Sequence, residues 1–132
     1  MINTIILVFV GGAVGAMSRE MLMLAVPPLS DGFPLDILVA NLVASFLLGL
    51  VTALHQRKVL TDGVNTMLGT GVMGGLSTFS SFAYGSFVLM SASPDRALVS
   101  LLYVAVSLLF GFAAVVIGLR LGGSRLNRDG DS

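Results

Sequence analysis

Cysteine is absent from the 132 residues, so neither disulfides nor thiolate metal sites contribute, and the redox compartment is not legible. Tryptophan is absent too. Histidine occurs once, at His55, and a lone imidazole cannot build a metal centre. Charge is scarce: seven Lys+Arg balance seven Asp+Glu, 11% of the chain in all, with no net charge. That balance lacks the basic face that nucleic-acid binding requires. What fills the chain is apolar. Hydrophobic residues make up 55%, and the mean hydropathy of +0.97 lies outside the range of soluble domains.

The charges cluster between four apolar stretches of about 20 residues, the length that crosses about 30 Å of hydrocarbon. This predicts an all-α membrane protein with four transmembrane helices in one domain, residues 1–122, and a polar tail at 123–132. The expected spans are 4–26, interrupted by Ser18-Arg19-Glu20 and ended by Pro27-Pro28; 35–54, closed by HQRK; 64–90; and 97–119, opened by Ser93-Pro94 as cap and first turn. No basic residue precedes the first apolar run and no small-residue cleavage site follows it, so it is expected to be a retained span rather than a signal peptide. With both ends on one side, that side carries Arg57, Lys58, Arg120, Arg125 and Arg128 against Arg19 and Arg96 on the other, which favours cytoplasmic termini.

The third span has no charge, and its 27 residues would make about 40 Å of helix, more than the hydrocarbon requires. Its middle reads GGLSTFSSF, residues 74–82. Gly74-Gly75 weakens a helix there. Ser77, Thr78, Ser80 and Ser81 offer hydroxyls, either to freed carbonyls and a passing ion or, if the helix is continuous, back to the preceding turn. A broken helix at mid-membrane depth is tolerated only where protein buries it or water and ions reach it.

Around that stretch stand other polar candidates. Phe79 and Phe82 are three apart and present positive ring edges to a common cavity, or else are ordinary core and lipid-facing rings. Asn41, with Ser45 one turn on, is either interhelical glue or a site whose amide donates to an anion. Arg19 lies about 7–8 Å beyond the centre of the first span; it is either a snorkelling anchor or a vestibule cation. Glu20 points about 100° away around the helix, so the two need not pair. Tyr103, Ser107 and Gly111 form a stripe on the fourth span, glue or lining, and His55 ends the second span as a solvated cap. Small residues four apart, Gly11/Gly15, Gly12/Ala16 and Gly71/Gly75, predict close helix packing. Four short spans enclose few interior positions, so a pathway forms more readily at an interface between chains.

Four pieces, GGAVGAMSR at 11–19, NLVASFLLG at 41–49, GTGVMGGLSTFSSF at 69–82, and the stripe Tyr103, Ser107 and Gly111, together resemble the Fluc or CrcB fluoride channel family over essentially the whole chain. The resemblance implies a passive fluoride-selective channel in the plasma membrane, not an enzyme, exporting cytoplasmic fluoride through two pathways along an antiparallel dimer interface. It also implies roles: Phe79 and Phe82 as pathway aromatics, Asn41 as pathway amide, Ser80, Ser81, Tyr103 and Ser107 as polar lining, and Arg19 as vestibule arginine. Backbone carbonyls of Gly74 and Ser77 would hold a structural sodium ion (Na+) at the dimer centre. The implied partners are fluoride, the lipid bilayer, and an inverted second copy or an inverted sister chain. Two departures stand out: Glu20 where the family often has an aromatic residue, and Ala44 where it often has glycine. The five-to-two cationic bias also opposes insertion of one chain in both orientations. The rival classes lack their chemistry. A proton-coupled small multidrug-resistance exporter needs an embedded carboxylate, for which Glu20 beside Arg19 is the only candidate, and an intramembrane protease needs a base near its serine, whereas His55 lies at a span end. A purely structural assembly subunit would show no flux.

Overall fold

The computed structural model describes residues 1–27, 29 and 32–123. The described chain is all helical: α1 (Ile2–Ala25), α2 (Leu35–Gln56), α3 (Asp62–Asn65), a π-helical segment (Thr66–Val72), α4 (Met73–Leu76), α5 (Phe79–Ala92) and α6 (Pro94–Gly123). Four runs are long and apolar enough to cross a membrane: Ile2–Ala25, Leu35–Gln56, Asp62–Ala92 and Pro94–Gly123. The protein is a multi-pass integral membrane protein. Arg125 and Arg128, with the rest of the expected tail after Gly123, lie outside the described residues, as do Pro28, Ser30 and Asp31 of the first link.

The first span is not interrupted at Ser18-Arg19-Glu20: α1 runs through it, and the Ser18 hydroxyl donates back to the Val14 carbonyl at 2.9 Å, so its polar group is satisfied within the helix. The third span begins at Asp62, where Thr61 accepts the Val64 N–H at 3.4 Å as an N-cap. Pro94 opens α6 directly after an extended Ser93. The π turn at Thr66–Val72 has no forewarning in the sequence pattern.

Helix pairing divides the third span between two neighbours. Its first half, the π segment and α4, packs on α1, while α5 packs on α6, which also lies along α2. Glycine sets both close seams. A Cβ at Gly11 would overlap the Met67 carbonyl, one at Gly15 the Val72 carbonyl, and one at Gly75 the Gly12 carbonyl; Gly49 and Gly118 stand likewise against Val115 and Phe46. In lipid such backbone-to-backbone approach supplies the van der Waals attraction that the hydrophobic effect supplies in water. Two buried clusters flank the mid-membrane region, Ala44 with Met73 and Leu76, and Leu38 with Leu89 and Tyr103. The large apolar side chains of α1 and α6, such as Phe9, Met17, Leu109 and Phe112, point outward, as a lipid-embedded chain requires.

Candidate functional site

The third span breaks at Ser77 and Thr78, which adopt extended backbone (φ −75, ψ 151 and φ −143, ψ 105) between α4 and α5. The break falls three residues beyond Gly74-Gly75. Gly75 is committed to the α1 seam, where it lies against Gly12, so weak helix propensity does not decide the position. Asn41 does. Its Oδ1 accepts the Thr78 N–H at 2.8 Å and its Nδ2 donates to the Thr78 carbonyl at 3.4 Å. The side-chain amide thus takes the place of the missing backbone partner of the Thr78 N–H and adds a second donor to the Thr78 carbonyl, which also accepts the Phe82 N–H at 3.3 Å; this is how an interrupted helix avoids an orphaned donor in hydrocarbon.

Thr78 then caps α5. Its Oγ1 accepts the Ser81 N–H at 3.2 Å. Two carbonyls are freed by these two bonds. The helical partner of Gly74 O would be the Thr78 N–H, taken by Asn41, and that of Ser77 O would be the Ser81 N–H, taken by Thr78. Among the described residues neither carbonyl receives a backbone donor. Gly75 O accepts instead from Arg19 Nη1 at 3.4 Å, so the guanidinium sits at the C-terminal end of α4. Arg19 also lies 3.5 Å from Glu20, its long side chain spanning the angle between neighbouring helix positions.

On the other side of the break lies a cleft of about 260 Å³ lined by Asn41, Ser45, Ser77, Thr78, Phe79, Phe82, Ser107 and Leu108. The Phe79 and Phe82 ring centroids are 6.1 Å apart, and Phe82 stands 5.4 Å from Tyr103. Phe33, from the first link, meets Tyr103 edge-on at 5.3 Å and fixes that ring from behind. Tyr103 is wholly buried, yet among the described residues its hydroxyl and that of Ser107 find no hydrogen-bond partner of good geometry, the nearest candidate for each being the other. Buried hydroxyls left without partners are exceptional, and a water or an ion is among the groups that satisfy them. Phe79, 81% exposed, presents its ring to the outside of the chain. A second, smaller cleft of about 190 Å³ is lined by Ala44, Ser45, Gly69, Gly74 and Ser77, and a Cβ at Gly74 would meet nothing within 4 Å.

The structure therefore gathers Asn41, Phe79, Phe82 and Ser107 around one cleft, with Tyr103 behind Phe82 and Ser81 joined through Thr78. Ser80 is exposed, its oxygen 3.4 Å from Thr78 Oγ1. Arg19 stands apart, on the α1 side of α4. His55 bridges to Asp62 at 2.9 Å across the link between α2 and α3, more than a solvated cap. Thr78 and Phe33 are the residues sequence reasoning undervalued. Thr78 followed by Ser81 has N-cap to N3 spacing, a usable signal; Phe33, in a turn-rich link, offers none.

The family model described as "CrcB-like protein, Camphor Resistance (CrcB)" matches residues 6–119. The chain belongs to the CrcB-like family. It is 62% identical over 122 residues to fluoride-specific ion channel FluC 1 of Brucella abortus, covering 92% of this chain and 45% of that protein. The CrcB-like chain thus spans about half the length of that relative. It is 54% identical to fluoride-specific ion channel FluC 3 of Yersinia pseudotuberculosis over 127 residues, 96% of this chain and 94% of that one. A more distant similarity, 40% over 114 residues, is to fluoride-specific ion channel FluC of Deinococcus radiodurans. The matched family region contains the whole break and its clasp.

Proposed function

We propose that this CrcB-family chain forms a passive, fluoride-selective channel in the plasma membrane, letting cytoplasmic fluoride leave along the interface of an antiparallel dimer. The observation that carries the reading is the clasped break at Ser77-Thr78 beside a cleft of ring edges and hydroxyls, in a chain 54% identical to a FluC protein of nearly its own length. Fluoride is small and tightly hydrated, so it crosses only if each lost water is replaced by a donor, none strong enough to trap it. The Tyr103 and Ser107 hydroxyls have hydrogens uncommitted among the described residues, and the Phe79 and Phe82 edges carry positive potential without net charge. Among the described residues no carboxylate lines the cleft, which supports passive flow over proton-coupled exchange. This is transport rather than catalysis, and no residue is assigned a catalytic role.

A second copy follows from the energetics of the exposed break. Gly74, Ser77 and Ser80 are exposed in a single chain, and backbone polar groups facing lipid cost several kcal/mol each. An inverted copy would lay break against break at one depth and cover both. The charge bias toward Arg57, Lys58 and Arg120 opposes dual insertion, which leaves an inverted sister chain as the alternative partner. The freed, exposed carbonyls of Gly74 and Ser77 fit a hard cation that prefers oxygen, so these atoms would hold the sodium ion. When bound, the ion would supply positive charge between facing carbonyl dipoles.

The test is fluoride efflux from liposomes holding this chain alone, followed by electrode with potassium made permeable to balance charge. Fluoride should leave and chloride should stay, without ATP or a proton gradient. Equal passage of both ions, or none of either, sinks the reading.

A further inference from the structure

Thr78 takes part in six hydrogen bonds at the break, three through its backbone and three through its hydroxyl, and the directions of the hydroxyl bonds to Ser81 leave one hydrogen over. In a common helix start the N3 side chain reaches back to the N-cap N–H. Here that N–H goes to Asn41 Oδ1 at 2.8 Å, so Ser81, the N3 residue of α5, is released from the duty. The Thr78 Oγ1 accepts the Ser81 N–H at 3.2 Å and donates its own hydrogen to Ser81 Oγ at 3.0 Å. Thr78 is buried, and with its single hydroxyl hydrogen given to Ser81 at 3.0 Å, the longer 3.4 Å contact with Ser80 Oγ takes Ser80 as donor. Ser81 Oγ is therefore an acceptor toward Thr78, and among the described residues its own hydrogen donates to no atom of the chain.

We infer that Thr78 is a positioning residue whose hydroxyl, held by the Asn41 clasp, sets the polarity of Ser81 so that Ser81 presents a hydrogen, not a lone pair, to a passing anion. The inference rests on the channel reading above. Anion passage needs donors, and a serine free to rotate would as readily donate to the protein and turn its oxygen to the path. With Thr78 donating into it, Ser81 has one of its two lone pairs occupied and its own hydrogen left uncommitted to the clasp.

The experiment is a mutant cycle on initial fluoride efflux from liposomes, using Ser81→Ala, Thr78→Val, the double variant and Thr78→Ser, each first checked for the same dimer as the parent. Ser81→Ala and Thr78→Val should each slow efflux by about tenfold, the scale of one hydrogen bond. The double variant should be no slower than the slower single one, because both remove the same donor. Thr78→Ser, which keeps the hydroxyl, should stay within about twofold of the parent. A cap that merely holds the helix predicts multiplied losses in the double variant, and that result overturns the inference. So does parental efflux in Ser81→Ala, which needs no change at Thr78 at all, or a Thr78→Ser variant as slow as Thr78→Val. If Thr78→Val does not assemble, Thr78→Cys, with its weak S–H donor, takes its place in the cycle under the same criteria. Failure of the parent chain to pass fluoride would instead sink the channel reading.

Discussion

Where α1 meets residues 66–76, glycine backbones touch and leave no room for a methyl group at Gly11, Gly15, Gly71 or Gly75; where α2 meets the break at 77–78, a side-chain amide holds the backbone, and among the described residues the Gly74 and Ser77 carbonyls receive no backbone donor. Both seams lie in one span, a few residues apart. Small residues let two helices approach until every surface is occupied, which makes a rigid wall with no capacity to bind. The polar clasp fixes the chain in an unusual shape at the cost of freeing neighbouring groups, which makes a wall that can exchange hydrogen bonds. Gly74 and Gly75 show the contrast between adjacent positions: an added Cβ meets open space at the first and the Gly12 carbonyl at the second.

Four substitutions test that contrast, from the largest expected effect on the folded chain to the smallest. Gly75→Ala forces a methyl group against the Gly12 carbonyl and the Ala16 backbone nitrogen, and should destabilise by about 1–3 kcal/mol in equilibrium unfolding from detergent. A change below about 0.5 kcal/mol would mean that the α1 seam is looser than its geometry. Asn41→Ala leaves the buried Thr78 N–H without a partner, while the Thr78 carbonyl keeps the Phe82 N–H, costing about 1–3 kcal/mol. Fluoride efflux should fall at least tenfold, about 1.4 kcal/mol of barrier, while the gel-filtration profile stays that of the parent. Parental stability and flux together would show that the break holds without the amide. Phe82→Ile removes the ring contacts with Phe79 and Tyr103, about 1 kcal/mol of stability, and should slow efflux by about tenfold; unchanged efflux would take this ring out of the pathway. Gly74→Ala should leave the unfolding free energy of the monomeric chain within about 0.5 kcal/mol of the parent, the methyl group entering open space. If dimerisation or efflux nevertheless falls, the loss reports a second copy seated on that face.

Much of this contrast was legible in residue spacing, and some was not. Glycines four apart at 11 and 15 and at 71 and 75 announce a close seam, because helical periodicity puts both members of a pair on one face. A charge-free third span too long for the bilayer announces a break somewhere in residues 74–82. The exact residue was not readable. Gly74-Gly75 is the weakest point by propensity, but Gly75 is held by α1, and the break goes to Thr78 because an amide 37 residues earlier in the chain competes for its N–H. Arg19 and Glu20 meet at 3.5 Å although their Cα–Cβ vectors diverge, since long side chains reach around a helix in ways positional angles do not capture. Phe33 supports Tyr103 from a link whose turn residues say nothing of where its ring will lie.

By itself the sequence determined the solvent this protein lives in, its four crossings and the need for an interruption in the third, because hydrophobic length and charge placement are additive along a chain. Tertiary structure alone decided which residue breaks, which carbonyls are released and which hydroxyls keep a hydrogen to give. Those outcomes depend on competition for hydrogen-bond partners, and a competition is settled only once packing has brought distant groups within about 3 Å of one another.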